Sequence, residues 1–230
     1  MKLAVVVPVF NEATAINTAL ARLTVLRERG AQVIVVDGGS SDATAALAKR
    51  HADQVVQSAR GRAQQMNTGA RAALDAGADV LLFVHADSEL PDCADQLIAT
   101  ALQTSARVWG RFDVRIDGEA SMLKVVSAMM NLRSRMTGIC TGDQAIFVTR
   151  AAFERLTGFE PIALMEDINF SKRAKRLSRP AAIKARVVTS GRRWLRHGIW
   201  RTIVLMWRLR IAYFLGADPQ RLAQRYRDAR

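Results

Sequence analysis

The first half of the chain alternates between short apolar runs and helical stripes. "KLAVVVPVF" and "AQVIVVD" are continuous apolar runs of strand length, and "DQVVQSA" and "ADVLLFVHAD" read as two further strands. Between them, "EATAINTALARLTVLRERG" carries Ile16, Leu20, Leu23 and Leu26 on one helical stripe and stops at Gly30. "ATAALAKRHA" is a second helix that Asp42 can N-cap, and "RAQQMNTGARAALDAG" is a third that ends at Gly77. Strands alternating with helices predict an α/β fold, with a mostly parallel central sheet covered on both faces. Ligands on such sheets sit at the carboxyl ends of the strands. Asp37 and Asp87 both fall at that edge.

Beyond residue 90 the pattern loosens. "LPDCADQLIATALQTS" is helical, "RVWGRFDVRI" a strand, and "ASMLKVVSAMMNLRSRMTG" a long helix. "DQAIFVTRAAFERLTGF" is a strand running into a helix, "MEDINFSKRAKRLSR" a helix, and "AAIKARVVTS" an edge strand. No repeat, low-complexity tract or linker interrupts the sequence. One domain with a helical C-terminal appendage is the simplest division.

Charge changes the picture of that appendage. Up to Phe170, 17 Lys and Arg stand against 19 Asp and Glu; from Ser171 onward, 17 stand against 2. The net charge of +13 therefore belongs to the last quarter, which suggests an anionic partner. Between Ile199 and Leu215 the helix is apolar nearly all round, with His197, Arg201 and Arg208 on one side and Arg210 opposite. That is no clean interfacial amphipath, so packing on the body or on a partner competes evenly with lying on a membrane. The 230 residues are half hydrophobic, enough for a large core. Cys93 and Cys140 lie in no metal-binding spacing and read as free thiols of a reducing cytoplasm. "MKLAVVVPVFNE" reaches proline and acid too early for a signal peptide, and no run is long enough for a spanning helix.

Four short stretches carry chemistry. "VDGGSSD" follows Asp37 with a loose polar turn whose backbone N–H groups are free to meet a ligand, but neither common phosphate-loop pattern is present. In "HAD", Asp87 at a strand end suits Mg2+ or Mn2+ shared with substrate phosphates, whereas His85 reads as a satisfied, partly buried side chain. Glu166 and Asp167 in "MEDINF" either complement a helix dipole or include a general base. In "SGRRWLRHG", Arg192 and Arg193 have the forked donors a diphosphate requires, and Trp194 can pack in a core or stack on a sugar.

Taken in order, "VVVPVFNE", "VIVVDGGSSD", "GRAQQMNTGA", "LLFVHADSELP" and "AIFVTRAAFERLTGFEPIALMEDINFSKR" resemble the family 2 glycosyltransferases, enzymes of the GT-A nucleotide-diphospho-sugar fold. The resemblance runs from residue 1 to about 195. It implies a nucleotide-binding half over 1–100, an acceptor and catalytic half over 101–195, and a basic helical appendage over 196–230. It implies further that Asp37 reads the base from a turn that includes Gly38. Pro8, Phe10, Asn11 and Glu12 would line the nucleoside pocket, with Arg62 and Asn67 on its far wall. The family's Asp-x-Asp metal motif has His85 in place of its first acid; Ala86 and Asp87 remain, and Asp87 would hold Mn2+ or Mg2+. Glu166 and Asp167 match the catalytic pair, with Asp167 the base of an inverting transfer from a nucleotide sugar, a UDP-sugar by expectation, to a hydroxyl acceptor.

The tail resembles the Gln-x-x-Arg-Trp motif of processive synthases only at Arg193 and Trp194, since Ser190 stands where glutamine would be. Without a spanning helix, a non-processive enzyme is expected. "HAD", "GDQA" and "RRW" in a compact chain are most similar to a bacterial subgroup linked to arsenosugar biosynthesis and radical-SAM gene neighbourhoods. The expected setting is the cytoplasm, with the basic segment docked on an anionic membrane face or a protein partner. Two other readings compete: a sugar-phosphate nucleotidyltransferase, whose Gly-rich N-terminal loop is missing, and a basic nucleic-acid-binding protein, whose front body is mildly acidic and carries no nucleic-acid module. No nucleic acid is expected.

Overall fold

A computed structural model describes residues 1–228, apart from the side chain of Arg193. In chain order the elements are β1 (Leu3–Val9), α1 (Ile16–Ala21), α2 (Thr24–Glu28), β2 (Gln32–Asp37), α3 (Thr44–Ala48), β3 (Gln54–Gln57) and α4 (Arg62–Asp75). They continue with β4 (Val80–Phe83), β5 (Ser88–Glu89), α5 (Ala94–Gln103), β6 (Trp109–Ile116) and α6 (Ser121–Thr137). A 3-10 turn (Gly142–Gln144) leads into β7 (Ile146–Thr149), α7 (Arg150–Arg155), α8 (Glu166–Ala174) and β8 (Ala181–Thr189). The tail forms α9 (Arg192–His197), α10 (Ile199–Phe214) and α11 (Pro219–Asp228).

The strands form one eight-stranded sheet in the order β3-β2-β1-β4-β7-β6-β8-β5. The first four are mutually parallel, β7 runs against both its neighbours, and β8 runs parallel to β6. The mostly parallel α/β sheet predicted from the alternation is therefore present. β1, β2 and β4 are buried on both faces: Val5, Val7, Val33, Val35 and Leu82 pack with Leu20 and Ile98 on one side. The alternate residues Val6, Ile34, Val36, Leu81 and Phe83 pack with Ala70, Phe153 and Phe170 on the other. Helix α4 comes so near the sheet at Gly69 that a Cβ there would lie 2.4 Å from Val6 Cγ1. Both cysteines are free, Cys140 buried and Cys93 exposed.

Two expectations are corrected. The helix expected over 12–30 breaks into α1 and α2, because Leu23 turns inward on a tighter i→i−3 bond to Leu20 O (3.0 Å), and Leu23 and Leu26 are both buried. "AAIKARVVTS" is an edge for most of its length, but β5 covers its last two residues, pairing Ser88 with Thr189 and Glu89 with Val188. That pairing brings the segment after Asp87 against the start of the basic tail. No helix among the described residues is long and apolar enough to cross a membrane.

Candidate functional site

The carboxyl ends of β1 and β2 are tied into one unit. Asp37 is fully buried, and its carboxylate accepts the Gly39 and Ser40 N–H groups at 3.2 and 3.0 Å together with the Ser40 hydroxyl. Ser40 Oγ in turn accepts the Asn11 N–H (2.9 Å), Asn11 Oδ1 accepts the Ser41 N–H (2.9 Å), and Asp42 accepts the Ala13 and Thr44 N–H groups. Asp42 is not the N-cap expected of it: Ala43 holds that position without a side-chain bond, and Asp42 accepts the Thr44 N–H from one residue further out. Beneath this turn the buried Gln65 amide donates to Val9 O (2.8 Å) and Val36 O (2.9 Å) and lies directly against Gly38. Pro8 is half-buried in β1, and the Phe10 ring carries the Arg60 guanidinium 4.1 Å above its centre.

Asp87 is exposed, four residues past the end of β4. With Ala86, Glu89, Ser190, Arg192 and Arg22 it lines a cleft of about 300 Å³. Glu12 lies within its field: burial first, then the Asp87 charge, raises the Glu12 carboxyl above its ordinary value, and Arg192 opposes them. The geometry thus joins Glu12, Asp87, Ala86 and Arg192, four residues from three distant blocks. Trp194 lies elsewhere, half-buried against Leu123, Val126 and Met130. The Arg193 side chain is outside the described residues.

Across the site, α8 presents Glu166 and Asp167 behind Met165, which is buried in the left-handed region (φ 70). The tail holds that turn: Leu209 of α10 and Leu222 of α11 pack on Met165 and Ile168. Asp167 Oδ2 accepts the Gly142 N–H (2.8 Å) and Oδ1 the Ile168 N–H (2.7 Å), so main-chain donors orient it. Glu166 is 5% exposed, and burial, then the Asp167 charge, pushes its carboxyl up to about 7 against the pull of Arg62 and His85. Arg62 is exposed and strongly cationic. Crowding of its head group works against the charge, and Glu166, Tyr226, Asp143 and Asp167 more than offset that.

His85 is half-buried as expected, with Nδ1 3.4 Å from Asp143 Oδ1, and lies against the turn that holds Asp167. A Cβ on Gly142 would lie 2.5 Å from the His85 ring, so a larger residue there would displace that ring. Asn67 is committed to the main chain: its amide exchanges hydrogen bonds with Phe159 O (2.7 Å) and Phe159 N–H (2.8 Å), which fixes the loop leading to α8.

With that geometry in hand, comparison with known proteins is specific. Residues 4–155 match the family described as glycosyl transferase family 2. The chain belongs to glycosyl transferase family 2. Among solved structures, this family 2 chain resembles residues 1–349 of TarS from S. aureus, crystallised with UDP-GlcNAc. The two are 19% identical with a TM-score of 0.66, over 83% of this chain and 58% of that one. It also resembles the mannosyltransferase PcManGT from Pyrobaculum calidifontis, solved with GDP-Man and Mn2+, at 23% identity and TM-score 0.66, over 95% and 66% of the two chains. Glucosyl-3-phosphoglycerate synthase from Mycobacterium tuberculosis, solved with Mn2+, UDP and glucosyl-3-phosphoglycerate, follows at 17% and 0.61, over 82% and 70%. These likenesses establish the GT-A fold. The family 2 chain spans 58% of the TarS fragment's length. No curated protein sequence matches it.

Several residues of the site are absent from the sequence reading: Gln65, Ser40, Arg60 and Gly142. Gln65 left one faint signal, a glutamine on the otherwise small and apolar inner face of α4, alongside Ala63, Met66 and Gly69.

Proposed function

We propose that the protein is a metal-dependent, inverting, non-processive glycosyltransferase that moves a sugar from a nucleotide diphosphate, a UDP-sugar by preference, to a hydroxyl acceptor. The observation that carries this is the chain of charges at the strand ends: Glu12 lies in the field of Asp87, Arg192 and Arg62, and Arg62 in turn lies in the field of Glu166 and the oriented Asp167. The 37–42 turn, with Pro8, Phe10 and Asn11, receives the nucleoside; Asp37, expected to read the base, is fully buried and acts by shaping that turn. Arg192, with Arg193 beside it in α9, takes the diphosphate. Asp167 accepts the acceptor hydroxyl's proton as that oxygen attacks the anomeric carbon from the face opposite the leaving diphosphate. Glu166, half-titrated near neutrality, shares the field of that base.

The residues fit a divalent ion. Asp87 is an exposed carboxylate, and the raised Glu12 carboxyl next to it marks a place where cationic charge is favoured. Among the described residues no three acidic, His or Cys side chains converge, so the diphosphate and water would complete the ion's oxygen shell. When bound, the ion neutralises charge developing on the leaving diphosphate.

A specific observation also favours docking of the tail on an anionic bilayer. Of the 13 large hydrophobic side chains the structure exposes, 11 lie on α6, α9 and the α10 segment, including Met129, Met136, Trp200, Trp207 and Phe214. No acid interrupts α6 or α10, and a groove of about 600 Å³ there includes Arg201, Arg208 and Arg225 among its lining residues. This supports a peripheral membrane setting at the cytoplasmic face. The division at residue 196 then separates a docking segment from the transferase body, and the arsenosugar-linked subgroup remains the sequence-level placement we favour.

Calorimetric titration of UDP and GDP, with and without Mn2+, on wild type, Asp87→Ala and Asp167→Asn tests the main reading. Metal-dependent binding lost in Asp87→Ala but kept in Asp167→Asn is expected, with transfer in the latter slowed by about 10²–10⁴-fold. Binding of neither nucleotide by the wild type would overturn it.

A further inference from the structure

Two cations in the field of Asp167 have no hydrogen-bond partner among the described residues for their buried nitrogens. Arg133, on the last turns of α6, and Arg210, on α10, are both mostly buried, and Arg133 Nε and Nη2 and Arg210 Nε are shielded from solvent without a hydrogen bond. Among the described residues neither guanidinium forms an ion pair or hydrogen bond. Arg111 is different: although two of its nitrogens are also unpartnered, it and Arg135 share the carboxylate of Asp113.

Two features make the arrangement costly as it stands. Buried donors without acceptors lose hydration and gain nothing in exchange. The charges also oppose each other: burial, then the Arg210 charge, lowers the Arg133 guanidinium to about 10, and burial lowers Arg210. Asp167 attracts both, and Asp143 attracts Arg210, but Asp167 already accepts two main-chain N–H groups and comes into contact with neither arginine. An oxyanion between the two guanidiniums would remove both costs at once.

We propose that Arg133 and Arg210 form an oxyanion subsite for the acceptor, binding a phosphate or carboxylate on the molecule whose hydroxyl meets Asp167. The proposal rests on the glycosyltransferase reading, and it narrows the acceptor to an anionic one. The cleft of Asp87 and Arg192 serves the donor's diphosphate, so the two anions have separate cationic sites. It also gives Arg210 a purpose: the charge that spoils the amphipathic pattern of α10 is the one turned toward the catalytic helix.

Thermal unfolding of wild type, Arg133→Gln and Arg210→Gln, in phosphate, acetate or chloride at matched ionic strength, tests it. Wild type should be stabilised by phosphate, acetate or both beyond chloride. Each variant should bind that anion about tenfold more weakly or worse, as expected for the loss of one charge-assisted pair. In chloride alone the variants should unfold at or above the wild-type temperature, because an unpaired buried charge is gone. Vesicles bearing phosphatidic acid, retained by wild type and lost by both variants while free phosphate has no effect, would assign the anion to a lipid headgroup. Equal stabilisation of all three proteins, an adventitious ion only, or no response to any probe would overturn the subsite. UDP and GDP titrations on the same variants separate the two failures: intact nucleotide binding without an anion response sinks the subsite alone. Loss of the anion response in both variants, in a protein that binds no nucleotide, leaves an anion site but removes its assignment to an acceptor.

Discussion

The two halves of the site handle polar groups in opposite ways. Around Asp37 every polar side chain is answered by a neighbour: Ser40, Asn11, Asp42 and Gln65 close a set of hydrogen bonds that locks β1 to β2. Around Asp167 the groups are left in tension. Glu166 is buried beside another acid, Arg133 beside another cation, and Met165 holds a left-handed backbone. The first half closes its hydrogen bonds within the chain, while on the proposed reading the second is left open to groups that arrive with substrate. Stability and function are thus divided between them, as expected where reactive sites retain strain and unpaired charge.

That contrast makes a prediction about sign. Removing a polar group should stabilise the half around Asp167 and destabilise the half around Asp37. The largest effect is expected at Glu166. Its folded carboxyl is raised from 4.5 to about 7, so the folded state holds that proton more tightly than the unfolded chain does. The stability this contributes is complete below pH 4.5 and is lost as pH rises through 7. Glu166→Gln removes the loss, so the variant's advantage over wild type should grow between those limits and level off above them, on the order of 3 kcal/mol. Urea unfolding at pH 4.5 and pH 8 reads it directly; an advantage independent of pH would break the comparison.

Gln65→Leu is the counterpart. It takes a donor from the carbonyls of Val9 and Val36 at the point where the two strand ends meet. Val9 O keeps the Gly38 N–H, so the loss is partial, about 2 kcal/mol. A urea midpoint as high as wild type would show that this half is no better satisfied than the other.

The legibility of the molecule follows the same division. Strands buried on both faces leave unbroken apolar runs, so β1, β2 and β4 are readable at sight; Asp37 closes β2 at the carboxyl edge as read, whereas Asp87 stands four residues beyond β4 rather than at its end. β5 is two residues long and has no periodicity to read. The break between α1 and α2 is hidden because Leu23 continues the apolar stripe across it. The roles of Gln65, Arg133 and Arg210 are not legible for another reason. Gln65 bonds main-chain atoms 29 and 56 residues away, which have no side-chain signature, and among the described residues Arg133 Nε and Nη2 and Arg210 Nε have no partner.

The smallest expected effect on stability lies on the outside of the catalytic half. Trp200, Val204, Trp207, Ile211 and Phe214 recur at helical spacing along α10 and are all exposed, whereas Thr202 and Leu209 on the opposite side are buried. A surface side chain without a packing role changes stability by less than about 0.5 kcal/mol, so Trp207→Ser should unfold as wild type does. Binding should behave differently, because an exposed indole flanked by Arg208 has both the apolar body and the cationic neighbour that an anionic interface favours. Flotation with vesicles of phosphatidylcholine containing phosphatidylglycerol should recover wild type and leave Trp207→Ser behind, and neutral vesicles should recover neither. If Trp207→Ser instead loses stability by 1 kcal/mol or more, or floats as well as wild type, the stripe is packing surface, and the outward apolar face of α10 belongs to the fold rather than to a membrane.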